Sequence, residues 1–268
     1  MPTDFSGNIA RFTGFADQYD KYRPTPPAIL AEILCQLAQT ERPSLVVDLG
    51  SGTGLSTRYW ANRAEQVIGI EPTPDMRKQA EAQTKTGNIS YQPGFSHQTG
   101  LPNGCAQIVT CSQALHWMEP QATFEEAARI LASGGVFAAY DSDWPPTTSH
   151  WEADAAYEAC SRQVETLDEK HKIFENVRHW KKNGHLERMR ASGCFRYTKE
   201  IVVHHVEQGN AGRLVGLFLS QGSVMTLIKM GLSEQELGID VFRQEAQRLL
   251  GDTPQTWFWS SRIRYGIV

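Results

Sequence analysis

Ser44-Leu45-Val46-Val47-Asp48-Leu49-Gly50-Ser51-Gly52-Thr53-Gly54 decides the fold, and the rest of the chain is read outward from it. Leu45 to Leu49 is a short, β-branched and almost wholly apolar run, which is what a strand buried on both faces of a parallel sheet requires. It breaks directly into glycines, so it is a strand that ends in a tight turn. Glycines at 50, 52 and 54 let the backbone turn without a Cβ clash and leave bare peptide against which a ligand can lie. Leu55 to Ala64 reads as the helix that follows. Val67-Ile68-Gly69-Ile70 is a second strand, and Glu71 stands at its carboxyl end, where a carboxylate can accept hydrogen bonds from both hydroxyls of a ribose. Turn and carboxylate together point to a nucleoside.

Dinucleotide-binding turns space their glycines as G-x-G-x-x-G, whereas here the spacing is G-x-G-x-G, preceded by Asp48. This resembles the first motif of the class I S-adenosylmethionine (SAM) dependent methyltransferases. Phe12-Thr13-Gly14-Phe15-Ala16 through Tyr19, Tyr22, Arg23 and Pro24 is similar to the N-terminal arm of one group within them. That is the type 11 group, which includes trans-aconitate methyltransferase and the ubiquinone-biosynthesis enzymes. Ser112-Gln113-Ala114-Leu115-His116-Trp117 resembles the S-x-A-x-H-W segment of that group, and Arg129 to Phe137 resembles its R-x-L-x-x-G-G-x-F motif.

The resemblance implies an α/β, Rossmann-like class I methyltransferase fold, with a seven-stranded, mostly parallel sheet and helical cap insertions. It also implies that SAM, leaving as S-adenosylhomocysteine (SAH), lies against Asp48, Gly50, Ser51, Gly52, Gly54, Glu71, Pro72, Met76, Gln113 and Trp117, with Tyr19 and Arg23 folding over it. A guanidinium can fork onto a carboxylate, and a tyrosine face suits a sulfonium cation. The family often carries G-D-A in the loop after the third strand, Ile89 to Gln92, with the Asp on the adenine amine. Phe95 occupies that position here. It can stack on adenine but accepts no hydrogen bond, which passes the polar contact to Ser96 or to backbone. His116 is the imidazole that the resemblance sets beside the reacting centre, where it would serve as general base.

The remaining stretches fill in this frame. Ala28 to Ala38 is an amphipathic helix, Pro74 opens another after Glu71, and Cys105 to Ser112 is the fourth strand. Thr123 to Leu131 reads as a helix closed by Ser133-Gly134-Gly135, followed by a buried strand from Val136 to Asp141. Ile201 to Val203 and Trp257 to Arg264 read as final strands, forming an antiparallel pair at one sheet edge. Leu214 to Met230 is an apolar helical stretch, too interrupted by Gly and Ser to span a membrane. Numbered as a whole, 1–268 reads as one methyltransferase domain. Its parts are an arm at 1–27, a SAM-binding core at 28–142, cap insertions at 143–192 and 209–232, and C-terminal strands and helix at 193–208 and 233–268.

The 268 residues carry a net charge of −4, which gives no global drive toward nucleic acid or anionic membrane. Between 161 and 200 there are ten Lys/Arg against six Asp/Glu, an excess that suits either a solvated face or an acidic substrate. Five widely spaced cysteines without C-x-x-C suggest reduced thiols, and His171, His179 and His185 lack metal-ligand spacing. No signal-peptide core precedes Asn8, so the reading is cytoplasmic. Methylation of a small-molecule hydroxyl, phenol, acidic carbon or carboxylate without metal is the activity the resemblance implies, in a monomer or homodimer. Three alternatives stay open: a methyltransferase fold that binds SAM or SAH without transfer, an NAD-type dehydrogenase, and a nucleic-acid or protein methyltransferase. The second is disfavoured by G-x-G-x-G. The third is disfavoured by the missing N-P-P-aromatic loop, since Asp143-Trp144-Pro145-Pro146 has the wrong order and follows the wrong strand.

Overall fold

The computed structural model describes residues 5–12 and 20–268. In chain order the elements are α1 (Ser6–Phe12), α2 (Ile29–Leu37), β1 (Leu45–Leu49), α3 (Leu55–Tyr59), β2 (Gln66–Ile70), α4 (Pro74–Gln83), β3 (Ile89–Gln92) and β4 (Ala106–Ser112). A 3-10 turn (Leu115–Trp117), α5 (Pro120–Ile130), β5 (Leu131–Ser142), α6 (Trp151–His171), a second 3-10 turn (Lys182–Gly184) and α7 (His185–Ala191) follow. The chain continues through β6 (Tyr197–Gly209), α8 (Ala211–Leu219), α9 (Gly222–Lys229), α10 (Ile239–Leu250) and β7 (Gln255–Ile267). The seven strands form one sheet in the order β3-β2-β1-β4-β5-β7-β6. Strands β1 to β5 are parallel, and β7 runs antiparallel to β5. This is the α/β, seven-stranded, mostly parallel fold that the resemblance implied.

Two compact units emerge from the chain, each built from three segments. One comprises Thr25–Ser142, His179–Val203 and Ser261–Val268 and holds β1 to β5. Its strands are apolar at successive positions because both faces are covered. On one face Val47, Leu49, Val109, Cys111 and Phe137 pack with Phe124, Ala127 and Ile130 of α5. On the other, Val46, Val67, Ile108, Val136 and Ala138 pack with Leu30 and Leu34 of α2 and with Trp60. Full burial of a Val, Leu or Phe side chain contributes about 1.5–3 kcal/mol, so these two layers hold the strand ends in place.

The second unit comprises the described residues up to Pro24, Asp143–Arg178 and His204–Ser260. Tyr157 of α6, Phe218 of α8 and Phe242 of α10 pack mutually, with ring centroids 5.1–5.7 Å apart, and fully buried Trp257 and Trp259 close the core. Residues 179–192, read from sequence as the end of a cap insertion, cluster instead with the sheet unit.

Several element boundaries differ from the sequence reading. The helix expected over 55–64 stops at Tyr59, and Trp60, Ala61 and Arg63 wind on with i to i+3 hydrogen bonds as Trp60 turns into the core. Helix α5 begins at Pro120 rather than Thr123, because the Glu119 carboxylate accepts from the backbone N–H of Gln121 (3.3 Å) and of Ala122 (2.6 Å). Leu131 already pairs with Ala106, and the glycine pair at 134 and 135 is an irregularity within β5 rather than a helix stop. The stretch from Leu214 to Met230 is two helices, α8 and α9, bent by 70°. Among the described residues no single helix is long and apolar enough to cross a membrane.

Candidate active site

The turn after β1 is pinned to β2 by two bonds, since Gly50 N–H (2.8 Å) and Ser51 N–H (3.1 Å) both donate to the Ile70 carbonyl. At Gly50, with φ +66°, an added Cβ would fall 2.5 Å from the Met118 methyl and 2.9 Å from the Ala114 Cβ. The turn therefore lies directly against the 114–118 segment that follows β4. Gly52, also at positive φ (+55°), is different: a Cβ there would meet nothing within 4 Å. Its backbone borders open space.

Glu71 ties this turn to the end of β2. One carboxylate oxygen accepts from Gly52 N–H at 3.0 Å and the other from Thr73 N–H at 2.9 Å. The residue is 7% exposed, and burial raises its pKa more than the Thr73 and Gly52 bonds and the nearby Arg77 lower it. The Thr73 hydroxyl adds a third donor to the carboxylate, which keeps acceptor capacity for one more. A buried carboxylate with acceptor capacity left, beside half-buried Gly52 and the open space at it, suits a ribose hydroxyl. The buried Ser51 Oγ makes no hydrogen bond among the described residues and packs toward Gly69 of β2. The residues present fit the ribose portion of SAM.

Other residues named from sequence have different surroundings. Asp48 is fully buried and does not face the turn's open side. Ser56 (2.6 Å) and Thr57 (2.7 Å) donate hydroxyls to its Oδ2, and Thr110 (2.9 Å) donates to its Oδ1. Burial raises its pKa against the pull of those three hydroxyls. Asp48 therefore ties α3 and β4 to β1 below the turn. Ser96 is also buried, its hydroxyl 2.8 Å from Thr123 Oγ1 on α5. Phe95 stacks on His97 with centroids 5.4 Å apart. Met76 is buried on α4 and Pro72 is half-buried after Glu71. Tyr19 lies outside the described residues.

Arg23 belongs to the second unit and is already engaged there. Its Nε donates to Ser220 Oγ (3.1 Å), its Nη2 to the Ser220 carbonyl (2.7 Å), and its guanidinium lies 4.6 Å over the Trp144 ring. Tyr22 packs against Gly216 in the same unit. These contacts occupy the guanidinium that sequence reading gave to a carboxylate.

His116 and Trp117 sit on the 3-10 turn that follows β4, their rings 4.6 Å apart, and Trp117 is 6.3 Å from His179. The His116 carbonyl accepts from Trp180 N–H at 2.8 Å, which fastens the turn to the 179–191 segment. Gln113, at the carboxyl end of β4, has φ +51°. Beside it is a charged cluster that sequence reading missed. Lys182 pairs with Asp141 (2.9 Å), Asp141 with Arg264 (3.0 Å), and Arg264 with Glu200 (2.7 Å). His185 is fully buried next to it, its pKa lowered to about 4, first by burial and then by Arg188, Arg264 and Lys182 acting against Asp141. No short-range spacing signals this cluster, because its members come from β5, β6, β7 and the 182–188 turn.

A parallel sheet whose first strand ends in a glycine turn, linked by backbone to a buried glutamate after the second strand, defines a nucleoside-binding α/β protein. Residues 47–139 match the family described as "Methyltransferase domain". Residues 47–139 thus carry a methyltransferase domain, and the chain is similar to SAM-dependent methyltransferases. A methyltransferase-family protein of Dictyostelium discoideum is 29% identical over 157 residues, covering 59% of this chain and 57% of that one. The SAM-dependent methyltransferase-family protein CRG1 of Saccharomyces cerevisiae is 30% identical over 125 residues, 45% of this chain and 43% of its own. This chain thus spans about half the length of the curated relatives it matches. A solved type II methyltransferase-family structure from Anaeromyxobacter dehalogenans shares the fold, with TM-score 0.64 and 20% identity over 92% of this chain and 98% of the other.

Proposed function

We propose that the protein methylates a small-molecule acceptor, at oxygen or carbon and without a metal, using SAM as donor and His116 as general base. The observation that carries the SAM assignment is the Gly52–Glu71 bond, which sets a buried carboxylate beside open backbone. SAM supplies a methyl carbon on a sulfonium, an electrophile that needs no Lewis acid. The chain's own part is to orient two ligands and keep water out. Gly50 to Gly54 and Glu71 hold the donor, while Trp117 and Gln113 wall the space beyond the end of β4. His116 would take the proton that a hydroxyl, phenol or acidic carbon must lose to become a methylated product. The proposal covers a single methyltransferase domain with a helical cap, acting in the cytoplasm.

The test is His116→Ala, assayed with labelled SAM and with SAH calorimetry. A hydroxyl, phenol or carbon acceptor predicts a fall in kcat of about 10²- to 10⁴-fold with SAH affinity retained. A carboxylate acceptor needs no base and predicts an unchanged kcat. Loss of SAH binding would make His116 a cofactor wall and remove the base assignment. Binding of SAM or SAH without transfer is the second reading, favoured by Phe95 standing where an adenine-binding Asp is usual. Intact SAH affinity without turnover on any acceptor would support it.

A further inference from the structure

Lys182 holds Gln113 at its tip while the backbone holds it at its base. The ammonium lies 2.8 Å from Gln113 Oε1 and 2.9 Å from Asp141 Oδ1. Asp141 is itself buried and fixed through its other oxygen by Arg264. At the base, Gln113 N–H donates to the Tyr140 carbonyl at 2.9 Å. Its φ of +51° is a conformation that a non-glycine residue keeps only where its surroundings enforce it.

An ammonium carries three donors and no acceptor, so the amide atom facing it must be the oxygen. The planar amide then turns its NH2 group to the opposite side. Gln113 directly precedes Ala114, which together with Met118 fills the space against Gly50 of the glycine turn. A donor of fixed orientation thus stands one residue from the SAM-binding turn.

We propose that Lys182 is a positioning residue that locks the Gln113 amide so that its NH2 holds an oxygen acceptor, a carboxylate or carbonyl, of a ligand bound at the carboxyl end of β4. The inference rests on the SAM reading of the site. The oxygen can belong to the amino-acid carboxylate of the donor or to the methyl acceptor. Sequence reading gave the carboxylate to Arg23, whose guanidinium is occupied by Ser220 and Trp144.

Three variants test it. Gln113→Glu keeps a partner for Lys182 but replaces the NH2 with a second oxygen; Lys182→Met frees the amide to rotate; Lys182→Arg keeps a donor-only partner. Each is titrated calorimetrically with SAH and with 5′-methylthioadenosine, which lacks the amino-acid portion. Each is also assayed with labelled SAM against simple mono-, di- and tricarboxylic acids. If the oxygen is the donor's, Gln113→Glu and Lys182→Met weaken SAH at least ten-fold, leave 5′-methylthioadenosine unchanged, and Lys182→Arg restores most of the loss. If it is the acceptor's, SAH binding is unchanged and KM for a turned-over acid rises at least ten-fold at constant kcat. Variants that match the parent in both SAH affinity and acid turnover overturn the proposal alone. A parent that does not bind SAH overturns it together with the SAM reading.

Discussion

Glu71 shows how one side chain can set a binding surface by joining two turns. Its carboxylate holds Gly52 N–H and Thr73 N–H in a place where burial opposes its charge, so further donors from a ligand are favourable there. Glu71→Ala should weaken SAH by about 1–3 kcal/mol, roughly 5- to 150-fold. Isothermal calorimetry reads this directly, and unchanged affinity would remove the ribose assignment. Gly52→Val combines a branched side chain at φ +55° with intrusion into the open space beside the turn. Strain of about 1–3 kcal/mol should lower the melting temperature while the fold survives and SAH binding is lost. A variant that binds SAH normally would reduce Gly52 to a turn residue.

His185 provides a pH prediction at the same scale. Arg188 Nη2 donates to its Nδ1 at 2.9 Å, so the neutral ring carries its proton on Nε2. With a folded pKa of about 4, below that of an exposed imidazole, the unfolded chain binds more protons between the two values. Stability contributed by this group is therefore present above about pH 6.5 and lost as pH falls toward 4, at up to about 1.4 kcal/mol per pH unit. Urea unfolding at several pH values should show a shallower dependence in His185→Gln over that window.

Among elements, β5 and α5 carry the best-defined stability test. Phe137 is fully buried and packs on Phe124 (5.7 Å) and Phe195 (5.6 Å), so Phe137→Ala should cost about 3–5 kcal/mol. A urea midpoint shifted by much less would mean that the surrounding side chains collapse into the gap. The β1 strand and glycine turn were legible because a parallel strand buried on both faces leaves a continuous apolar run, and the turn has its glycines where φ is positive. What escaped was set by distant partners. The break between α8 and α9 follows Ser220, whose carbonyl is taken by Arg23 from the far end of the sequence. The Lys182 cluster is likewise assembled from separate strands. The bonding of Asp48 is nearer to hand, since Ser56 and Thr57, two and three residues past Gly54, are local partners for its oxygens.

Over the whole molecule, β6 and β7 each contribute residues to both units. Trp257 and Trp259 fill the helical core, while Ile263 and Tyr265 of the same strand fill one face of the sheet. Shared strands couple the two cores, so denaturation should be one transition. Far-UV circular dichroism and tryptophan fluorescence should give the same urea midpoint, and separated midpoints would show that the units melt independently.

The interleaving of segments also bears on how the chain comes into being. Neither unit is a continuous stretch of gene, and each stays open on the ribosome until β7 has been made. At roughly 5–20 residues per second, the helical segments from Trp151 onward wait several seconds with their apolar faces uncovered. Nascent protein of this topology therefore presents apolar surface that chaperones can bind until β7 emerges.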